Sequence, residues 1–210
     1  MIADTNRDFT PAMYRKLLET LQEAGYAFMA FEEFCKNGAG KCVILRHDVD
    51  RKPENSLRLA EIEAGMGIRA SYHFRVVGSS NNPDIIRKVA GLGHEIGYHY
   101  EDLALAAANK SAGGTVSIEG LAADAFDRFR SGLDYFRTFY PVRVISMHGS
   151  PTGPVDNRLV WKYFDYHESD VLCEPYFDLD FSGMLYMTDT GRRWDGDRVN
   201  IRDRPLPADS

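Results

Sequence analysis

Lys41-Cys42-Val43-Ile44-Leu45-Arg46-His47-Asp48-Val49-Asp50 runs from an apolar stretch straight into charge. The apolar part predicts a strand, and strand alternation sends Asp48 and Asp50 to one face, with His47 and Val49 on the other. Two carboxylates about 6–7 Å apart on one strand face repel each other. They persist easily only with a cation between them or a proton on one. One can then bind a metal while the other serves as general base. The competing reading is a pair of solvated loop aspartates ahead of a helix, since Pro53 suits a first-turn position.

Outward from this stretch, short apolar runs alternate with helical patterns. Upstream, Thr10 and Pro11 open a helix that Gly25 closes, followed by a strand over 26–31 and a short helix closed by Gly38. Downstream come a helix from Pro53 to Gly65, a strand over 71–76, a helix over 82–93 and a strand over 94–99. The small-residue segment AAANKSAGG (106–114) reads as a loop before a long amphipathic helix, 118–139. A strand over 142–148 runs into the turn-rich GSPTGP, MLYMTD (184–189) predicts a last strand, and the tail 202–210 is expected to fray. Strand and helix in series mean parallel strands with helical crossovers, closed into a barrel or spread as an open doubly wound sheet. In either, chemistry is built where strands end at their C-terminal edge.

Three further strand ends carry polar residues. In His94-Glu95-Ile96-Gly97-Tyr98-His99, the residues Glu95, Gly97 and His99 share a face, and His99 emerges beside Glu101 and Asp102. A lone histidine is more often a packed structural residue than a ligand, and His94, at the other end of the strand, keeps that reading. His148 ends the strand before Gly149-Ser150-Pro151. Taken jointly, an aspartate of the Asp48/Asp50 pair with His99 and His148 at one rim forms a carboxylate-and-two-imidazole set of the kind zinc and non-haem iron use. Asp189 ends the last expected strand and can orient a ligand or a cation, and Trp194 offers a flat face of the kind sugars stack on. The alternative for both is a polar turn with a packed tryptophan.

Composition narrows the classes. The 210 residues are 44% hydrophobic and 27% charged, a globular composition long enough for a full core. Thirty-one acidic against 25 basic residues give a net charge of −6, which argues against nucleic acid as a partner. No run approaches the ~20 apolar residues that span a bilayer. The N-terminal segment lacks a basic region followed by an apolar core, and Cys35, Cys42 and Cys173 have no metal-type spacing. The expectation is a cytoplasmic protein whose cysteines are small packed residues.

The motifs resemble those of the polysaccharide deacetylases, the NodB-homology carbohydrate esterases. His47-Asp48-Val49-Asp50 resembles their first motif, and Gly93-His94-Glu95-Ile96-Gly97-Tyr98-His99 their second. With the strand order, the likeness covers roughly 40–195 of one domain, 1–210. The resemblance implies an α/β fold, a distorted (β/α) barrel of mostly parallel strands with fewer than eight strands. It implies one divalent metal, commonly zinc, and hydrolysis of an N-acetyl group on an amino sugar. Carried over by position, Asp48 is the general base, Asp50 the metal-binding aspartate and His99 the first metal-binding histidine. A backbone N–H near 148–150 would receive the oxyanion.

Three departures shape the expectation. The family's second histidine falls on Leu103, so His148, from another strand, is assigned as the missing ligand. The third motif's Arg and Pro-Tyr are replaced by Met147-His148-Gly149-Ser150-Pro151, which makes Arg46 the candidate to orient the base. No histidine follows His167, so the family's C-terminal acid is His167, another group, or lost with turnover. With no secretory signal, the expected substrate is an acetamido sugar in a glycan or surface-polysaccharide precursor, such as an O-antigen or capsule unit. The competing class is a non-catalytic, metal-binding homologue that binds carbohydrate or a biosynthetic partner. A metal phosphoesterase ranks lower, because such sites gather two or three metals and this chain has one compact acidic pair.

Overall fold

The computed structural model describes residues 9–38, 40–110, 117–149 and 155–188. Six strands and seven helices alternate along them. They are α1 (Pro11–Glu23), β1 (Ala27–Met29), α2 (Phe31–Asn37), β2 (Cys42–Ile44), β3 (Arg46–Val49), α3 (Pro53–Gly65), β4 (Ser71–Phe74), α4 (Pro83–Gly91), β5 (Glu95–Tyr100), α5 (Asp102–Lys110), α6 (Ile118–Arg137), β6 (Ile145–Met147) and the short α7 (Pro175–Asp178). Start signals are local. Thr10 accepts from the Met13 N–H, Asn82 from Ile85 and Ser117 from Gly120, and Pro opens α1, α3 and α4.

All strand pairs among the described residues are parallel. β1 pairs with β2, and β3-β4-β5-β6 form a four-stranded sheet curled into a half-barrel. The α/β, fewer-than-eight-strand architecture expected from sequence is the one observed. The apolar run after Lys41 divides at Leu45 into β2 and β3, whose ladders belong to separate sheets. Beyond β6, Val144 bridges in parallel to Cys173, which adds a short extension on that side.

Two expectations are corrected. AAANKSAGG does not loop from its first residue: α5 runs through Lys110, because Leu103 and Ala106 bury against the core and extend the helix. The strand expected at MLYMTD is absent over its described residues, where Leu185 and Met187 are 88% and 56% exposed and no strand pairs with them. Apolar alternation needs a partner strand before it becomes a sheet.

The two faces of the half-barrel differ in chemistry. On one, Val49, Tyr72, Phe74, Ile96, Tyr98, Tyr100 and Ile145 join a core with the inner faces of α3, α4 and α6. The other carries polar residues in register: Arg46 beside Ser71 beside Glu95, then Asp48 beside His73 beside Gly97. The start of α2 covers the lower end of this polar face, with the Phe31 N–H donating to Ser71 Oγ and the Glu32 N–H to Glu95 Oε2. Gly97 is required where it lies: a Cβ there would stand 2.2 Å from His73 Cδ2. All three cysteines are free thiols, Cys173 buried and the other two half-buried, as small packed residues are expected to be.

Candidate metal centre

Because all four sheet strands point the same way, their C-terminal ends meet on one rim. β3 delivers Asp48 and Asp50 there, β5 delivers His99, and His148 follows β6, its N–H held by the Tyr100 carbonyl at 2.8 Å. Asn157 Nδ2 donates to the His148 carbonyl at 3.0 Å, while its Oδ1 accepts from the Ala104 N–H. This ties the loop after β6 to α5.

The ligand atoms of Asp50, His99 and His148 all lie within 4.8 Å of one another. His148 Nδ1 is 3.1 Å from Asp50 Oδ1 and 3.2 Å from His99 Nε2, and His99 Nε2 is 3.7 Å from Asp50 Oδ1. Tetrahedral bonds of about 2.0–2.1 Å place ligand atoms about 3.3 Å apart, so this triangle suits one ion. Asp50 Oδ1 is buried and satisfied by no hydrogen bond, although His148 Nδ1 is near. That is how two ligand atoms sit side by side, and it is the observation that fits a metal to these residues.

The imidazole of His99 is set for coordination. Its Nδ1 donates to the Ser146 carbonyl at 2.9 Å, which makes Nε2 the lone-pair nitrogen, turned to the cluster and 3.2 Å from His148 Nδ1. Burial lowers its pKa further than Asp48 raises it, so the ring is neutral, as a ligand must be. For Asp50, burial pushes the carboxyl up, but His148 and His99 more than offset it and the net direction is down.

Asp48 stands beside the triad, its Oδ2 3.8 Å from His99 Nε2, with 32% of its side-chain surface open. Arg46 grips it with Nε on Oδ1 at 2.9 Å and Nη2 on Oδ2 at 2.7 Å. Burial raises the Asp48 pKa, and the Arg46 charge, then that of His99, overcome this and hold it far below the ordinary range. Arg46 Nη1 in turn donates to the Tyr176 hydroxyl at 3.1 Å, and its guanidinium lies over that ring.

Tyr176 was not foreseen from sequence. It reaches the rim because Cys173 continues the sheet beside Val144, and Glu174 then caps α7 by accepting from the Tyr176 N–H at 2.7 Å. Glu174 also accepts from the Met147 N–H at 3.0 Å, and burial raises its pKa to about 7. Arg75 and His73 were likewise missed, although Arg75 directly follows β4 and the strand-end argument reaches it. His73 is fully buried over Gly97, 3.8 Å from Asp48 Oδ1, with neither ring nitrogen hydrogen-bonded. Burial lowers its pKa to about 3.

The remaining sequence candidates part from the site. Leu103 packs in the core, so no second histidine stands one turn after His99. His167 sits on an exposed turn, its Nδ1 2.8 Å from Asp165 Oδ1 and its Nε2 4.0 Å from Asp178, with no contact to the cluster. Asp189, Trp194 and Ser150 lie outside the described residues. A cavity of about 520 Å³ opens onto the cluster, lined by Asp48, Asp50, Arg51, Arg75 and His148. It gives a small ligand access to the triad and to Asp48 together.

No family model, no curated protein and no solved structure matches this chain. Its function rests on the site. No helix among the described residues is long and apolar enough to cross a membrane.

Proposed function

We propose that the protein is a metal-dependent hydrolase that removes an N-acetyl group from an amino sugar in a glycan or surface-polysaccharide precursor, as its resemblance to the polysaccharide deacetylases implies. The observation that carries this reading is a metal-type triad, Asp50, His99 and His148, beside an arginine-clamped carboxylate, Asp48, with a cavity lined by Asp48, Asp50 and His148. A divalent ion held by the triad, zinc by preference, would supply a Lewis acid for the acyl oxygen and make water more acidic.

The chain's own residues supply the rest. Asp48 lines the cavity with its Oδ2 3.8 Å from His99 Nε2, which places it to accept a proton from water at the site. Arg46 holds both its oxygens and keeps one orientation, and Tyr176 holds Arg46. The base-orienting role expected for Arg46 is supported by this fork. The backbone beyond His148 is the candidate for receiving charge on the acyl oxygen.

A second reading, a metal-binding homologue that binds carbohydrate or a biosynthetic partner without turnover, is favoured by His167, which touches no residue of the cluster. Two measurements separate them. Zinc counted by mass spectrometry is expected at one ion per chain in the wild type and lost in His99→Ala and His148→Ala. Acetate release from acetylated amino-sugar precursors is expected to fall about 10²–10⁴-fold in Asp48→Asn with zinc retained. No acetate from zinc-loaded wild type would leave the second reading, and no zinc in the wild type would overturn both.

A further inference from the structure

Arg75 occupies the rim directly after β4. Its Nε and Nη2 donate to the two oxygens of Glu101 at 2.7 and 2.6 Å, a bidentate fork on a side chain only 8% exposed. That fork immobilises the guanidinium plane. Its third nitrogen, Nη1, is the one left over: no described residue accepts from it, and its nearest acidic neighbour, Asp50 Oδ1, is 3.8 Å away. Arg75 lines the cavity with Asp48, Asp50 and His148.

Arg51 lines the same cavity. It is exposed and forms no hydrogen bond or ion pair with any described residue, one position beyond a metal-type ligand. Around it the acids are already engaged. Asp48 is taken by Arg46 and Glu101 by Arg75, while Asp50 belongs to the triad. Once a divalent ion is present, the cavity is therefore cationic although the chain as a whole carries −6. Two guanidinium groups lining one cavity present more N–H donors than a neutral acyl oxygen can use. They match a group with several anionic oxygens.

We propose that Arg51 and the Nη1 edge of Arg75 bind an anionic group, a phosphate or a carboxylate, on the substrate. This rests on the deacetylase reading for the acetamido part of the substrate and adds that the sugar unit is charged. Arg75 is the fixed element, held by Glu101 before any ligand arrives, and Arg51 is the exposed one, without a partner among the described residues. The anion sets orientation in the cavity, and Arg51 and Arg75 determine specificity without taking part in bond breaking.

The test is binding to the zinc-loaded full chain by calorimetry, with N-acetylglucosamine, N-acetylglucosamine 1-phosphate and N-acetylmuramic acid as probes. At least one charged sugar is expected to bind about tenfold tighter than the neutral one or better, the scale of a charge-assisted hydrogen-bond pair. Phosphate preferred over carboxylate, or the reverse, identifies which anion is read. Arg51→Ala is expected to remove most of the difference, with one zinc per chain retained. Arg75→Gln combined with Glu101→Gln keeps a neutral hydrogen-bonded pair and is expected to remove the rest. Equal affinity for neutral and charged sugars, or a preference unchanged in both variants, overturns the proposal. Binding is read without turnover, so a charge preference without acetate release would sink the deacetylase reading alone.

Discussion

The sheet carries an acid with two histidines on each of its faces, and the two clusters are opposites. On the polar face, Asp50, His99 and His148 crowd together with Asp50 Oδ1 unsatisfied and a cavity open above them. On the other face, Glu63 of α3 is fully buried among His47, His94, Tyr14 and Tyr72. There His47 Nε2 lies 2.7 Å from Glu63 Oε1, the Tyr14 hydroxyl donates to the same oxygen, and Tyr72 donates to Oε2 at 2.7 Å. His94 accepts from the Ala70 N–H at Nδ1 and donates from Nε2 to the Ala60 carbonyl at 2.9 Å, which uses both of its nitrogens. The rear cluster binds α1 and α3 to the sheet. Similar residue types become scaffold where the carboxylate is hydrogen-bonded on both oxygens, and a candidate ligand site where a carboxylate oxygen is left unsatisfied among imidazole nitrogens beside an opening.

The sharpest break of that comparison is Glu63→Ala. It strands His47, Tyr14 and Tyr72 in a buried space, and a loss of about 3–5 kcal/mol in urea-unfolding stability is expected. His148→Ala is the front-face counterpart. Since removing an outer-shell partner costs metal affinity about 10–100-fold, removing a ligand is expected to cost more than about a hundredfold in zinc titration. Its metal-free stability should change by less than about 1 kcal/mol, because His148 is half-buried at the rim. If Glu63→Ala abolishes zinc binding in chains that remain folded, the division between scaffold and site fails.

Next in size is a pH effect. Burial raises Asp102 to about 7, outweighing the Tyr98 hydroxyl that donates to both of its oxygens. The folded state therefore binds a proton that the unfolded chain releases near its ordinary value of 3.8. Its contribution is full below that pH and is lost as pH rises toward 7, and Glu174 acts in the same direction. Wild-type stability should carry a decline on the order of 1–4 kcal/mol across that window, measured by denaturant titration of metal-free protein. Asp102→Asn should remove its share of that decline and leave the Glu174 share. Glu63 and Asp48, both lowered on balance, act oppositely, their contributions fading as acid reaches their depressed folded values.

Gly97→Ala probes the face between the clusters. The new methyl would meet the fully buried His73 at 2.2 Å and the Val144 carbonyl at 3.0 Å. A loss of about 1–3 kcal/mol by thermal or chemical unfolding is expected, with weaker zinc binding if the strain reaches Asp48. His167→Ala closes the series. With its side chain 51% exposed and bonded only to nearby acids, it should change stability by less than about 0.5 kcal/mol and leave zinc binding untouched.

Much of the front cluster was legible in the chain. Period-2 alternation placed Asp48 and Asp50 away from His47, and the end of the strand placed His99, because strand geometry is local. His94 could be read as structural for the same reason, lying at the strand's opposite end. His148 became a candidate only through the strand-end rule, and its 3.1 Å approach to Asp50 depends on how far the half-barrel curls. MLYMTD shows the limit: its alternation is strand-like, yet no partner strand is offered to it. The rear network and the Arg46–Tyr176 contact had no sequence signal, since their partners are 9 to 130 positions apart.

By itself, the sequence determined the alternation of strand and helix, their parallel sense, and the residues that end each strand. These follow from short-range periodicity, capping chemistry and the handed crossover. Only the tertiary structure decided which histidines share an opening and which are spent on Glu63. It alone showed Arg46 gripping Asp48 and Arg75 keeping one nitrogen unspent. Those outcomes depend on distances across the sheet and on burial, which arise when strands far apart in the chain pack side by side and water is excluded from one face and admitted to the other.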